Sequence, residues 1–192
     1  MTIYGSLIFA LWLALVAYWS LATGALMRRI GSRWLWWREI AIRLGFFALV
    51  VVALQLAVLG QLLPNAGPYA LNSSTWMGLV GFVCTALGIG LAIQARACLG
   101  RKGSTTASGG ENPEVITTGP YALVRHPLYS GMLLAMLGSA IGQSIFWLLP
   151  LMVYGPYFIR DARREEELLI EQFPERYRAY MKRTKMLLPF VI

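Results

Sequence analysis

The chain has 192 residues, 57% of them hydrophobic, and a mean hydropathy of +0.58. So apolar a composition excludes an ordinary soluble domain of this length and points to a membrane protein. The net charge is +8, but the basic residues gather beside apolar runs and form no stripe interleaved with aromatics, which argues against nucleic acid.

Ile3 to Thr23 is apolar and long enough to cross a bilayer. No basic residue precedes it and no small-residue cleavage site follows, so it reads as a retained span rather than a signal peptide. Arg28, Arg29, Arg33 and Arg38 come next, mixed with Trp34, Trp36 and Trp37, as suits a headgroup interface. Ile40 to Leu63 is a second span, with Arg43 placed to snorkel. Pro64 to Ser74 carries no charge; Asn72-Ser73-Ser74 matches a glycosylation sequon, a weak signal by itself. Thr75 to Ala97 is a third span, lightened by Gly78, Gly81, Gly88 and Gly90 where helices approach closely. Cys84 and Cys98 give neither a disulfide framework nor a zinc spacing, and no metal is expected.

Leu99 to Glu114 is a basic, glycine-rich connection without the pattern of a P-loop or a Rossmann turn. The stretch Thr117 to Gly131 then holds the only histidine. Pro120 favours an extended Gly119, and Pro127 an extended His126. Pro127 also suits the first position of a helix, so an extended loop should feed a helix beginning at about Pro127. The free N–H groups of that helix suit an anion. His126 and Tyr129, three apart, face one side, and Tyr121 and Tyr129 offer faces to a base or a cation.

Leu128 to Gly142 and Ser144 to Ile159 are two short apolar arms joined at Gln143, which reads as a hairpin. Gly131, Ala135, Gly138 and Gly142 place small residues on one face of the first arm for close packing. From Arg160 the chain turns charged. Pro174 interrupts the helical pattern, and a short helix from Glu175 to Arg183 carries Tyr177 and Tyr180. These segments read as two amphipathic helices on the membrane face. The fold class expected is an all-α integral membrane protein with five transmembrane helices, three spans plus the hairpin, and cytoplasmic amphipathic tail helices. It forms a single domain over 1–192. Lys and Arg follow span one, lie at the end of span three and in the loop after it, and fill the tail, whereas the second connection and the hairpin tip carry none. The positive-inside rule then puts the N-terminus outside and the C-terminus, with the 98–127 region, in the cytoplasm.

Val115, Thr117, Gly119, Tyr121 and Arg125 to Gly131, followed at matching distances by Glu165 to Phe173, Tyr177, Tyr180 and Leu188-Pro189-Phe190, resemble the isoprenylcysteine carboxyl methyltransferase family. The resemblance covers about residues 113–192 and rests on several linked motifs. It implies an integral membrane methyltransferase using S-adenosylmethionine, bound at the cytoplasmic helix ends without a Rossmann domain. Carried over residue by residue, the cofactor-binding set is Pro113, Glu114, Val115, Ile116, Gly119, Tyr121, His126, Pro127, Leu128, Tyr129 and Glu165. Arg160 is the match for an arginine that holds the substrate. The family's F-G is Phe173-Pro174 here, and Arg101 to Thr105 stands where bacterial members carry a polar-aromatic patch.

The chemistry of the residues agrees with this. Glutamates pair with an ammonium or bind ribose hydroxyls, and aromatic faces suit a sulfonium and an adenine. A carboxylate acceptor needs only positioning and dryness; an amine or thiol needs a base, with Glu166 or His126 as candidates. The partner expected is a lipophilic or lipid-linked substrate met at the membrane. The competing structural readings are a capping His126, a headgroup-anchoring Arg125, and a solvated ion-pair face over Arg160 to Glu167. The competing functions are an NADPH-dependent membrane reductase, which shares the R-H-P-x-Y-x-G pattern in longer chains, and a non-enzymatic membrane protein.

Overall fold

A computed structural model of the chain describes residues 3–26, 45, 48, 50–52, 55, 75–101 and 115–188. The α-helices are α1 (Ile3–Leu26), α2 (Thr75–Arg101), α3 (Pro127–Gly142), α4 (Leu148–Gln172) and α5 (Pro174–Met181). Short 3-10 turns cover Gly119–Ala122 and Ile145–Trp147. Among the described residues the only extended pairing is a single parallel bridge between Val124 and Lys185. The chain is therefore helical, as its apolar runs require. Thr75–Leu99 is long and apolar enough to cross a membrane; Ile3–Trp19 and Pro127–Gly142 are apolar but shorter. Most of the expected second span, Ile40 to Leu63, lies outside the described residues, and with it the count of five.

Two compact units are formed, Met1–Ile89 with Leu133–Gly155, and Gly90–Met132 with Pro156–Ile192. In the first, the small-residue stripe does what its spacing predicts. A Cβ on Gly81 would stand 2.2 Å from Gly142 Cα and 2.6 Å from the Gly138 carbonyl oxygen, so the backbones of α2 and α3 touch where only glycine fits. Beside this contact lies a polar cluster. Trp12 Nε1 donates to Ser139 Oγ at 2.9 Å, Ser139 Oγ to the Ala135 carbonyl at 2.8 Å and Thr85 Oγ1 to the Gly81 carbonyl at 2.8 Å. Each hydroxyl returns its proton to its own helix, which leaves none unpaired in an apolar interior. Trp12 stacks on Trp147 at 4.8 Å between ring centroids, and Trp147 Nε1 donates to Gln143 Oε1 at 2.7 Å. Gln143 thus secures the hairpin turn that it was expected to form.

The second arm of the hairpin differs from expectation. After Gln143 the chain makes one 3-10 turn and then a single helix from Leu148 to Gln172, with Pro156 inside it. The apolar arm and the first amphipathic tail helix are thus one element. A change from apolar to charged side chains does not interrupt backbone hydrogen bonding, and Arg160 to Glu167 contains neither Gly nor Pro to do so. The interruption falls at Phe173. Its N–H closes α4 on the Leu169 carbonyl at 2.8 Å, and its carbonyl accepts from Tyr177 N at 2.9 Å. Pro174 then takes the first position of α5, where its missing N–H costs nothing.

In the second unit, Ala95, Ile116 and Tyr121 form one buried cluster with Cys98, Leu99 and Leu128 packed on it; Val115, Tyr177 and Tyr180 form another. Leu99 to Arg101, expected in a loop, form the last turn of α2, and the rest of that connection, 102–114, lies outside the described residues. Gly119 is not extended: its φ of +65° is a left-handed turn that only glycine adopts freely. The preference imposed by Pro120 yields here to the 3-10 turn that follows.

Candidate active site

The loop before α3 is fixed from the far end of the chain. Arg125 N donates to the Lys185 carbonyl at 2.8 Å and His126 N to the Met186 carbonyl at 3.0 Å, while Ser130 Oγ donates to the Leu187 carbonyl at 2.6 Å. Tyr180 reinforces this with a hydrogen bond from its hydroxyl to the Tyr121 carbonyl. The tail thereby supplies acceptors to main-chain donors that the proline-broken loop cannot pair within itself.

His126 stands directly before Pro127, which begins α3 at its expected place. Its Nδ1 lies 3.4 Å from Glu165 Oε2 and its Nε2 3.3 Å from Glu166 Oε1. Glu165 and Glu166 are adjacent on α4, and each takes one of the two ring nitrogens. Arg125 Nε donates to the same Glu166 oxygen at 2.6 Å, and its Nη1 to the carbonyls of Met181 and Thr184. Arg125, a headgroup anchor in one sequence reading, is in fact the partner of Glu166 and a tie to the tail.

Charge and burial oppose each other here. Burial disfavours a charged imidazole, but the carboxylates on either side outweigh it and raise the His126 pKa above its ordinary 6.5. Burial likewise disfavours the Glu166 carboxylate, and His126 with Arg125 outweigh it, holding the group below its ordinary 4.5. The two groups therefore favour each other's charged forms. The Tyr180 phenol on α5 is pushed up to about 12, chiefly by burial, and stays protonated.

The aromatic side of the site is a stack. The ring centroid of Tyr129 lies 5.7 Å from that of His126 and 5.0 Å from that of Phe158, with interplanar angles of 14° and 10°. Tyr129 Oη lies 2.9 Å from Asp161 Oδ2 and 3.2 Å from Glu165 Oε1. Exposure is uneven: side chains of His126, Arg125 and Glu166 are 6%, 10% and 10% exposed, that of Glu165 38%. Glu165 is the carboxylate that retains room for a ligand.

Of the residues singled out from sequence, the structure brings His126, Tyr129, Glu165 and Glu166 together. Val115, Ile116 and Tyr121 point into the two buried clusters, Pro127 is buried at the start of α3, and Leu128 packs beside Tyr121. Gly119 makes the turn beneath them, with Cys98 Sγ 3.3 Å from where a Cβ would stand. Pro113 and Glu114 lie outside the described residues. Arg160 is on the exposed face of α4, and its side chain forms no hydrogen bond or ion pair among the described residues. Its neighbour Asp161 joins the cluster instead. Sequence reasoning passed over Asp161, although it stands one helical turn before Glu165 and so shares its face.

Residues 76–176, just over half of the chain, match the family model described as phospholipid methyltransferase. The chain is similar to the cobalt-zinc-cadmium resistance protein CzcN of Cupriavidus metallidurans, 32% identical over 117 residues, or 60% of this chain and 52% of that protein. It is similar to methanethiol S-methyltransferase of Pseudomonas deceptionensis, 38% identical over 72 residues, or 36% of this chain and 26% of that one. It is also similar to protein-S-isoprenylcysteine O-methyltransferase of Schizosaccharomyces pombe, 30% identical over 116 residues, or 58% and 48% of the two chains. The chain spans about half the length, or less, of these curated relatives. The resemblance drawn from the Arg125 to Gly131 and Glu165 to Phe173 motifs is thereby borne out at the level of the family.

Proposed function

The chain belongs to the phospholipid methyltransferase family, and from that premise we propose that it transfers a methyl group from S-adenosylmethionine to a lipophilic or membrane-associated acceptor at the His126–Glu165 site. The observation that carries this reading is the single histidine clamped between two glutamates of which only Glu165 keeps an exposed carboxylate.

The residues fit the cofactor. The Glu165 carboxylate suits its ammonium or its ribose hydroxyls. The stacked His126, Tyr129 and Phe158 rings present aromatic surface of the kind that takes a sulfonium or an adenine. The first turn of α3 offers N–H groups to its carboxylate. When bound, S-adenosylmethionine supplies an electrophilic methyl group on a sulfonium. Arg125 and Glu166 hold His126 in place, and the buried Tyr121 and Ile116 back the loop, so their part is to shape the site from behind.

A carboxylate acceptor, as in the isoprenylcysteine relative, needs only alignment and exclusion of water. A thiol, as in the methanethiol relative, has a proton to lose. Glu166 is already held by Arg125 and His126, so the group left to receive that proton is Glu165, with His126 behind it. Arg160 stands on the acceptor side in this reading, outside the His126 cluster. The Lys and Arg asymmetry supports a cytoplasmic site and tail.

Equilibrium binding of radiolabelled S-adenosylmethionine and of NADPH to the detergent-solubilised protein tests the proposal. Binding of the first alone supports it; binding of NADPH alone moves the chain to the reductase reading.

A further inference from the structure

The Tyr129 hydroxyl faces two carboxylates. Its ring stacks with those of His126 and Phe158, and these contacts restrict where the hydroxyl points. The oxygen lies 2.9 Å from Asp161 Oδ2 and 3.2 Å from Glu165 Oε1. A phenol has one proton and an ionised carboxylate has none to give. The two acceptors therefore compete for one donor, and the shorter contact is to Asp161. The other oxygen of Glu165 meets His126 Nδ1 at 3.4 Å. A Tyr129 proton engaged by Asp161 leaves the Glu165 carboxylate free to serve the imidazole and a ligand. A Tyr129 proton engaged by Glu165 draws that carboxylate away from both.

We propose that Asp161 is a positioning residue of this site: it holds the Tyr129 hydroxyl and so reserves the Glu165 carboxylate for His126 and the methyl donor. The inference rests on the reading of Glu165 as a cofactor contact. Two observations join in it, the order of the two oxygen distances and the partial exposure of Glu165 beside buried neighbours. The charged and titratable groups around His126 are Glu165 and Glu166 of α4, Tyr129 of α3 and Arg125 behind Glu166; beyond them the Tyr177 phenol of α5 feels the Glu166 charge.

His126 is the only histidine of the chain, so its imidazole is a single-signal reporter in NMR when the affinity tag contains no histidine. The experiment follows its titration in the full-length, ligand-free protein in detergent. Asp161→Asn removes the charge and keeps an oxygen acceptor; Asp161→Ala removes both. The loss of charge is common to the two, so their difference isolates the hydrogen bond. His126 is expected to titrate about half a pH unit lower in Asp161→Ala than in Asp161→Asn, because Glu165 turns toward Tyr129. In a Tyr129→Phe background the two should coincide. Equal titration with Tyr129 intact, or a difference that survives Tyr129→Phe, overturns the proposal. Asp161→Val replaces the alanine variant if that fails to fold. Alongside, Asp161→Ala should bind S-adenosylmethionine about tenfold more weakly than Asp161→Asn. A wild-type protein that does not bind the methyl donor would sink the proposed function, and the NMR comparison would still decide the role of Asp161.

Discussion

At the scale of single residues, the ionic clamp on His126 sets how the protein answers to pH. His126 is raised above 6.5 in the folded chain, so its stabilising part is complete below that value and is lost as pH rises through the folded pKa. Glu166 is lowered below 4.5, so its part is present above that value and is lost as pH falls through the folded pKa. The unfolding temperature of the ligand-free protein should therefore be flat over the mildly acid range between them and decline on the alkaline side. His126→Gln should abolish that alkaline decline; thermal unfolding of both proteins across pH checks it, and an unchanged slope removes His126 from the account. In binding, His126→Ala and Tyr129→Ala should each weaken S-adenosylmethionine by about tenfold or more, the worth of one lost hydrogen bond at roughly 1–3 kcal/mol. Unchanged affinity in both would return His126 to a capping role. His126, Tyr129, Glu165 and Glu166 were legible because motif and spacing both marked them. Asp161 was not, since it stands beside Arg160 in a run of charges that reads equally well as a solvated face.

At the scale of elements, the tail is the part that local sequence could not announce. Thr184 to Leu187 form no helix and pair with residues some sixty positions earlier through main-chain carbonyls, which every residue carries whatever its side chain. A chain ending after Arg183 loses the acceptors of Arg125 N and His126 N, the Leu187 carbonyl that is the nearer of two acceptors of Ser130 Oγ, and one of the two carbonyls held by the Arg125 guanidinium. At about 0.5–1.5 kcal/mol per hydrogen bond this should cost roughly 2–6 kcal/mol and abolish methyl-donor binding. Chemical unfolding and binding of the truncated protein measure both, and native-like affinity would show that the loop orders itself. The glycine stripe, by contrast, was readable, because small residues at every third or fourth position have little other use in an apolar helix. Gly81→Ala drives a Cβ into the α3 backbone and should destabilise by about 1–3 kcal/mol or more. Gly90→Ala has nothing within 4 Å of its new atom and should be neutral or slightly stabilising. Equal unfolding temperatures for the two variants would remove the close approach. The merger of the last apolar arm with the charged run into α4 went unread because a change of polarity resembles a boundary, while the backbone ladder has no stake in it.

At the scale of the whole molecule, the apolar residues left outside are as informative as the buried ones. In the first unit Leu13, Trp76, Val80, Leu87, Met152 and Val153 are exposed while Ile8, Trp12, Leu15 and Trp147 are buried. Both faces of these helices are apolar, so an apolar surround rather than water suits the outward one. The polar groups of Trp12, Thr85 and Ser139 in that unit are turned inward and paired, as a bilayer demands. Neither feature tells up from down; the expectation for orientation rests on charge alone. Basic residues follow the first and third apolar runs and fill the tail, and the connection from Pro64 to Ser74 has none. Two crossings are then expected to return Asn72 to the side of the N-terminus, outside, and a third to put Ser104 and His126 in the cytoplasm, where the hairpin also returns the tail. Single cysteines at Asn72 and Ser104, in a background with Cys84→Ala and Cys98→Ala, test this with a membrane-impermeant maleimide. Intact cells should label the Asn72→Cys protein and spare the Ser104→Cys protein, and inverted vesicles should do the reverse. Labelling of Asn72→Cys from the cytoplasmic face alone would invert the topology and put the His126–Glu165 site on the outer face, where a cytoplasmic methyl donor does not reach it.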